Sequence, residues 1–161
     1  MTVAYGWGAY RAAVADAIDA ANLNSLAASC AAAAGEASDT ITHIDNGTNR
    51  DVYADFDINL ASLNITAIGE VALYIIPVLG DDSTFPDYTI DHSTSGNVKL
   101  PLHYYARSAR FNIKNGAQSQ RIVGVEIPPC KFRVAVVNQL GVAWAASGNT
   151  VQYRSYKDES A

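Results

Sequence analysis

Apolar residues recur at every second position through several stretches of this chain, the spacing of strands that bury one face. In residues 52–60 the apolar positions are Val52, Ala54, Phe56, Ile58 and Leu60, while Tyr53, Asp55, Asp57 and Asn59 fall on the opposite face. Asp55 and Asp57 are therefore expected on a solvated sheet face. The same alternation puts Val123, Val125 and Ile127 on one side of a strand, and Phe132, Val134 and Val136 on one side of the next. Pro128 and Pro129 stand between them. Neither can donate a backbone hydrogen bond, which predicts a sheet edge or a corner connection there. Residues 70–78 are apolar on both faces, the pattern of a central strand covered on both sides, and Pro77 ends its pairing. Residues 102–113 read as one or two strands before a turn at Asn115-Gly116. Turn signals at residues 138–141 and 147–149 then flank a short apolar run ahead of Val151 and Tyr153. The pattern predicts an all-β fold, an antiparallel β-sandwich of roughly eight strands.

Two stretches depart from this period. Tyr10, Val14, Ile18 and Ala21 share one face of a helix, which predicts a short amphipathic helix of about three turns. A helix of that length is marginal alone, so it must dock on its own sandwich or reach a neighbour as an arm. Tyr5 and Trp7, each followed by glycine, add aromatic contact surface to that arm. Residues 26–34 (LAASCAAAA) are ambiguous: alanine favours helix, but the Asn22-Leu23-Asn24-Ser25 segment before them is a poor helix interior. The expected organisation is an arm over residues 1–24, a sandwich over 25–156 and a tail over 157–161.

Composition narrows the class. The chain has 161 residues, enough for one domain with a sizeable core. Charged residues make up 17% against 49% hydrophobic, which suits a protein that covers much of itself with partners. The 16 acidic and 11 basic residues give a net charge of −5, and no run is basic, which argues against nucleic-acid binding. No apolar run approaches the roughly 20 residues of a membrane helix, so no membrane partner is expected. The first residues lack the charged segment of a secretory signal, so the chain is expected to be made in a cytoplasm and to stay soluble. Cys30 and Cys130 lie in no metal-ligand spacing, and two free thiols are favoured over a disulfide.

Candidate chemistry is sparse. The longest irregular stretch, residues 80–96, holds Asp81, Asp82, Asp87 and Asp91, but their spacing matches no calcium loop, and a contact loop anchored by Phe85 and Tyr88 is the better reading. Arg107 and Arg110 concentrate positive charge in an acidic chain and are candidates for contacts between subunits. The glycosylation patterns at Asn46 and Asn64 lack a secretory context. No nucleophile elbow, phosphate loop or metalloprotease motif occurs, so neither an enzyme nor a cofactor is expected.

The segment IPPCKFRVAVVNQLGVAWAASGNTVQYRSY, residues 127–156, resembles the C-terminal half of a family of tailed-bacteriophage virion proteins. Two earlier pieces extend the likeness: residues 43–49 (HIDNGTN), and Tyr74-Ile75-Ile76-Pro77 followed by Phe85-Pro86-Asp87. Together they span residues 24–156. The resemblance implies a jelly-roll-like sandwich, a first strand within residues 26–34, and a decoration or cement protein of the phage capsid, located in the virion. The implied partners are the major capsid protein and the chain itself, as a homo-oligomer such as a trimer at a three-fold position. The contact residues expected in that setting are Tyr5, Trp7, Tyr10, Val14, Ile18, Phe85, Tyr88, Arg107 and Arg110. Two alternatives stand beside it. One is a carbohydrate-binding sandwich with Tyr104, Tyr105, Trp144 or Tyr153 as stacking platforms. The other is a tail, neck or fibre-base component.

Overall fold

The computed structural model describes residues 14–34, 40–80, 100 and 102–157. Among them nine strands form two antiparallel sheets. Sheet A runs in the order β1 (Ala15–Asp16), β9 (Thr150–Tyr156), β4 (Tyr53–Ile65), β7 (Lys114–Glu126). Sheet B runs in the order β2 (Ala31–Ala33), β8 (Lys131–Gln139), β5 (Gly69–Pro77), β6 (Tyr105–Phe111), and β3 (Ile44–Asp45) also pairs with β8. Helix is confined to one turn, α1 (Ala20–Leu23), and one 3-10 turn, η1 (Leu102–Tyr104). The fold is an all-β sandwich, as the alternation predicts.

The core is the space between the sheets. Phe56, Ile58 and Leu60 of β4 meet Val71, Leu73 and Ile75 of β5 and Phe132, Val134 and Val136 of β8 there, with Phe111 and Val151. Each such side chain, taken from water, contributes roughly 1.5–3 kcal/mol. The doubly apolar β5 has its explanation in a second cluster on the outer face of sheet B. There Ala72, Tyr74 and Ile76 pack with Ala31, Ala33, Ala135, Val137 and Leu100. The alanines Ala31 and Ala33 of β2 and Ala135 of β8 give that outer face small side chains beside Tyr74 and Ile76. Pro128 and Pro129 carry the chain from β7 in sheet A to β8 in sheet B, the corner their missing donors require.

Five local expectations give way to tertiary structure. Residues 15–16 pair with Tyr153 and Gln152 of β9 instead of joining a three-turn helix, and Ala17 N–H donates to the Val151 carbonyl at 2.7 Å. Ala17, Ile18, Leu23 and Leu26 then enter the main core, so these residues belong to the sandwich and not to a detachable arm. An edge strand with free backbone groups outcompetes a helix whose apolar stripe is thin. In residues 26–34 only the last part is strand, and residues 26–30 reach it through turns.

Val123 is exposed, and Ile122 takes its place against the core. The ladder explains it: Ala54 faces Val125 and Phe56 faces Ile122, so two residues of β7, Val123 and Gly124, oppose Asp55 alone. This is a β-bulge, with Gly124 at φ +62°. Asp55 is in turn buried, not solvated. Its Oδ1 accepts from the Gly124 N–H at 2.9 Å and from the Tyr156 hydroxyl at 3.3 Å. Asp57 keeps the expected exposed face and holds Arg121 through two hydrogen bonds of 2.6 and 2.8 Å. Val52, just ahead of β4, is exposed instead of inward.

Candidate functional site

The two ends of the sandwich are built differently. One end is a cleft of about 700 Å³, open to solvent, beside the corner where Pro128 and Pro129 change sheets. Its walls come from the starts of β4 and β6 and the ends of β5 and β7, including Tyr53, Pro77, Tyr105, Arg107 and Glu126. A second bulge shapes it. Leu73 faces Arg107 while the next residue, Tyr74, faces Tyr105, so Ala106 is the extra residue in β6. Leu73 belongs to the main core and Tyr74 to the outer cluster, so Arg107 is directed at the gap between sheets and Tyr105 at the outer face.

Aromatic rings gather at this end. Tyr105 meets Tyr74 in a T-shaped contact at 5.7 Å, and His103 stands 4.0 Å from Tyr104. Tyr105 is nonetheless 44% exposed, which leaves ring surface uncovered. Burial pushes the Tyr74 hydroxyl above its ordinary value, and Tyr105 and Glu70 add to the shift. Arg107 and Glu126 are both exposed, and among the described residues no hydrogen bond or ion pair engages either side chain. The cleft thus presents aromatic surface, one strong donor group and one strong acceptor group.

The frame beneath the cleft is rigid. The buried Asn46 side chain donates at 2.8 Å to the carbonyls of Asp51 and Pro128, and its oxygen accepts from the Asp51 N–H at 2.8 Å. Ser155 donates to the Asp51 carboxylate at 2.6 Å. One asparagine therefore ties the loop after β3 to the proline corner and to the start of β4.

The opposite end is closed by two crossings between the sheets, residues 66–68 and 112–113. They lie side by side because Ile65 faces Lys114 in sheet A and Gly69 faces Phe111 in sheet B. Ile68 and Ile113 are 53% and 60% exposed there. Two buried asparagines hold this end. Asn138 donates to the carbonyls of Leu26, Ala27 and Val142 at 3.0, 3.1 and 2.8 Å, and accepts from the Leu140 N–H at 3.0 Å. Asn149 donates to the Ala145 carbonyl at 2.7 Å and accepts from the Ala61 N–H at 3.1 Å. A Cβ on Gly69 would stand 2.7 Å from Gln139 O and Leu140 Cα, so the crossing also depends on that glycine.

The residues expected at contacts scatter. Arg107 lines the cleft, whereas Arg110 is exposed beside the turn end, opposite Glu70. Val14 is exposed ahead of β1, and Ile18 is buried at 1% exposure, which removes it as a contact residue. Tyr5, Trp7, Tyr10, Phe85 and Tyr88 lie outside the described residues, as do Asp81, Asp82, Asp87 and Asp91. Of the four proposed stacking aromatics, Tyr104 and Tyr105 line the cleft. Trp144 is buried in the main core, and Tyr153 is half-buried against Phe56 at 6.2 Å, so neither is a platform.

Sequence reasoning missed Tyr53 and Glu126 at the cleft, because only the long-range pairing of β4 with β7 sets them opposite each other. It also read Asn138 and Asn149 as turn residues and Asn46 as part of a glycosylation pattern, without seeing that each is a buried clamp. Cys30 is buried and Cys130 half-buried, both as free thiols. Among the described residues no cluster of three or more His, Cys, Asp or Glu is arranged to hold a metal, and no helix is long and apolar enough to cross a membrane. No family model matches the chain, and no curated protein matches it in sequence.

Proposed function

We propose that the chain is a structural protein of a tailed-phage particle, a decoration or cement subunit that binds the assembled capsid shell. The observation that carries this reading is where the phage-like segment falls: residues 127–156 include β8, both asparagine clamps of the turn end and β9. The likeness thus lies in residues that determine this fold. Strand orders 1-9-4-7 and 2-8-5-6 interleave the chain between two sheets as a jelly roll does. Viral capsid domains and lectins both use that architecture, which is a fold-level analogy and does not choose between them.

The face we assign to the shell is the turn end. Ile68 and Ile113 stand on short crossings anchored by the Ile65–Lys114 and Gly69–Phe111 pairings and by the tight Gly69 contact, so little ordering is lost when a partner covers them. A subunit that binds the assembled lattice and not free shell protein stabilises the lattice by mass action. Self-association, as a trimer at a three-fold position, would multiply such contacts through avidity. Arg110, exposed near the same end, supplies charge at the rim.

The test is the protein composition of purified particles. Copy number comparable with the major capsid protein is the expected result. A few copies per particle would move the chain to the tail, neck or fibre base, and absence from the particle would overturn the reading.

A further inference from the structure

We propose that the cleft at the proline corner is a carbohydrate-binding site that takes an uncharged stretch of a glycan chain. This goes beyond the shell-binding reading and does not depend on it, because the cleft is at the opposite end from Ile68 and Ile113.

The argument rests on what the walls offer. A pyranose has one face of C–H groups and a rim of hydroxyls, so its site needs an exposed ring face and nearby groups that both donate and accept. Tyr105 supplies the ring at the rim of the cleft, on the side of sheet B's outer face: its contact with Tyr74 at 74° is edge-to-face, and the residue is 44% exposed. Arg107 on the β6 wall supplies donors in a planar fork, and Glu126 on the β7 wall supplies acceptor oxygens, for hydroxyls along a glycan chain lying in the cleft. Among the described residues no hydrogen bond or ion pair engages either side chain. Tyr53 stands on the β4 wall as a second aromatic group with a hydroxyl of its own. The volume of about 700 Å³ lies within the roughly 300–1,000 Å³ of small-ligand sites.

Other ligands fit less well. A phosphorylated ligand needs clustered cations, and the one arginine in the wall is matched by one carboxylate. A purely apolar ligand would have to strip water from Arg107 and Glu126 without replacing its hydrogen bonds. Arg107 with Glu126 is also electrically balanced, which favours a neutral sugar over a strongly anionic one. The anchoring of the corner by Asn46 means that the walls are set before the ligand arrives.

The full chain should be screened on an array of neutral, uronic and sialylated oligosaccharides, and any glycan bound should be titrated by calorimetry. Binding of a neutral oligosaccharide is expected. Tyr105→Ala and Arg107→Ala should each weaken it by about tenfold or more, Tyr105→Phe should retain most of it, and Ile68→Asp should leave it unchanged. Thermal melting of each variant separates a lost contact from a lost fold. No binding across the array at millimolar glycan would overturn the proposal. So would binding that survives both alanine substitutions in folded protein. If the chain is absent from particles yet binds glycan through Tyr105, the shell reading fails and this one stands.

Discussion

The cleft end and the turn end use the same device, a buried asparagine that bonds loop backbones, toward different surfaces. At the turn end Asn138 ties residues 26–27 to residues 140–142, Asn149 ties Ala145 to Ala61, and Ile68 and Ile113 are exposed on the crossings beside them. At the cleft end Asn46 ties the proline corner to Asp51 ahead of β4, beside an open cleft of mixed chemistry. The difference comes from bulges. Gly124 in β7 and Ala106 in β6 each add a residue beside the cleft, turning side chains out of the alternation just where the sheets separate. The turn end has one bulge, between Leu60 and Leu63, and it serves instead to keep Leu63 and Ile65 in the core.

The largest test of this contrast is removal of the clamps. Asn138→Ala removes four hydrogen bonds at a fully buried position and strands the Val142 carbonyl and the Leu140 N–H, while the Leu26 and Ala27 carbonyls keep the Trp144 and Cys30 N–H donors; it should cost about 3 kcal/mol in urea unfolding. Asn46→Ala removes the side-chain partner of the Asp51 N–H and of the Asp51 and Pro128 carbonyls at the more open end, where water can reach the freed groups more readily, and should cost about 2 kcal/mol. Equal losses would mean that the two ends are equally stiff. Next comes Gly69→Ala, where the added methyl meets backbone atoms that cannot swing aside; about 1–3 kcal/mol is expected, read from the same curves.

At the cleft end, Gly124→Ala places a Cβ at φ +62° and should cost about 1–2 kcal/mol. It should also disturb the Asp55 contact that pins the bulge, seen as shifts in the Tyr156 resonances.

Alkali should act on the cleft end through Tyr74. Burial raises its value above the ordinary 10.0, so the folded state favours the neutral phenol. The sign follows: this contribution is fully present below the unfolded value and is lost as pH rises through the folded one. Tyr74→Phe should therefore flatten the fall in melting temperature above about pH 10. An unchanged alkaline limb would assign that fall to another group, such as Tyr153, which burial also raises. The smallest effect on stability belongs to Ile68→Asp and Ile113→Asp. These should shift unfolding by no more than about 0.5 kcal/mol while reducing binding to shells, measured by co-sedimentation.

Much of the sandwich was legible because strand alternation is a local signal. The Phe132, Val134, Val136 face, the doubly buried β5 and the proline corner all follow from neighbours in the chain. Little of the cleft was legible. Tyr105 and Arg107 stood out as an aromatic and a cation, yet nothing near them in sequence indicates Tyr53 or Glu126. Ile18 misled for a related reason: its helical spacing with Val14 and Ala21 is genuine, but the free edge of β9 offers backbone partners that a short helix cannot match.

The amino-acid order alone determined the all-β class, the strands with clean alternation, the turns and the corner, since side-chain period and backbone donors are properties of single residues and their neighbours. Only the tertiary structure decided that Val123 faces out and Ile122 in, that Asp55 is a buried pin, and that Tyr53, Tyr105, Arg107 and Glu126 share one cleft. A bulge shifts the alternation by one residue, and its position depends on how a strand registers against a distant partner. That register is settled by the packing of the whole core.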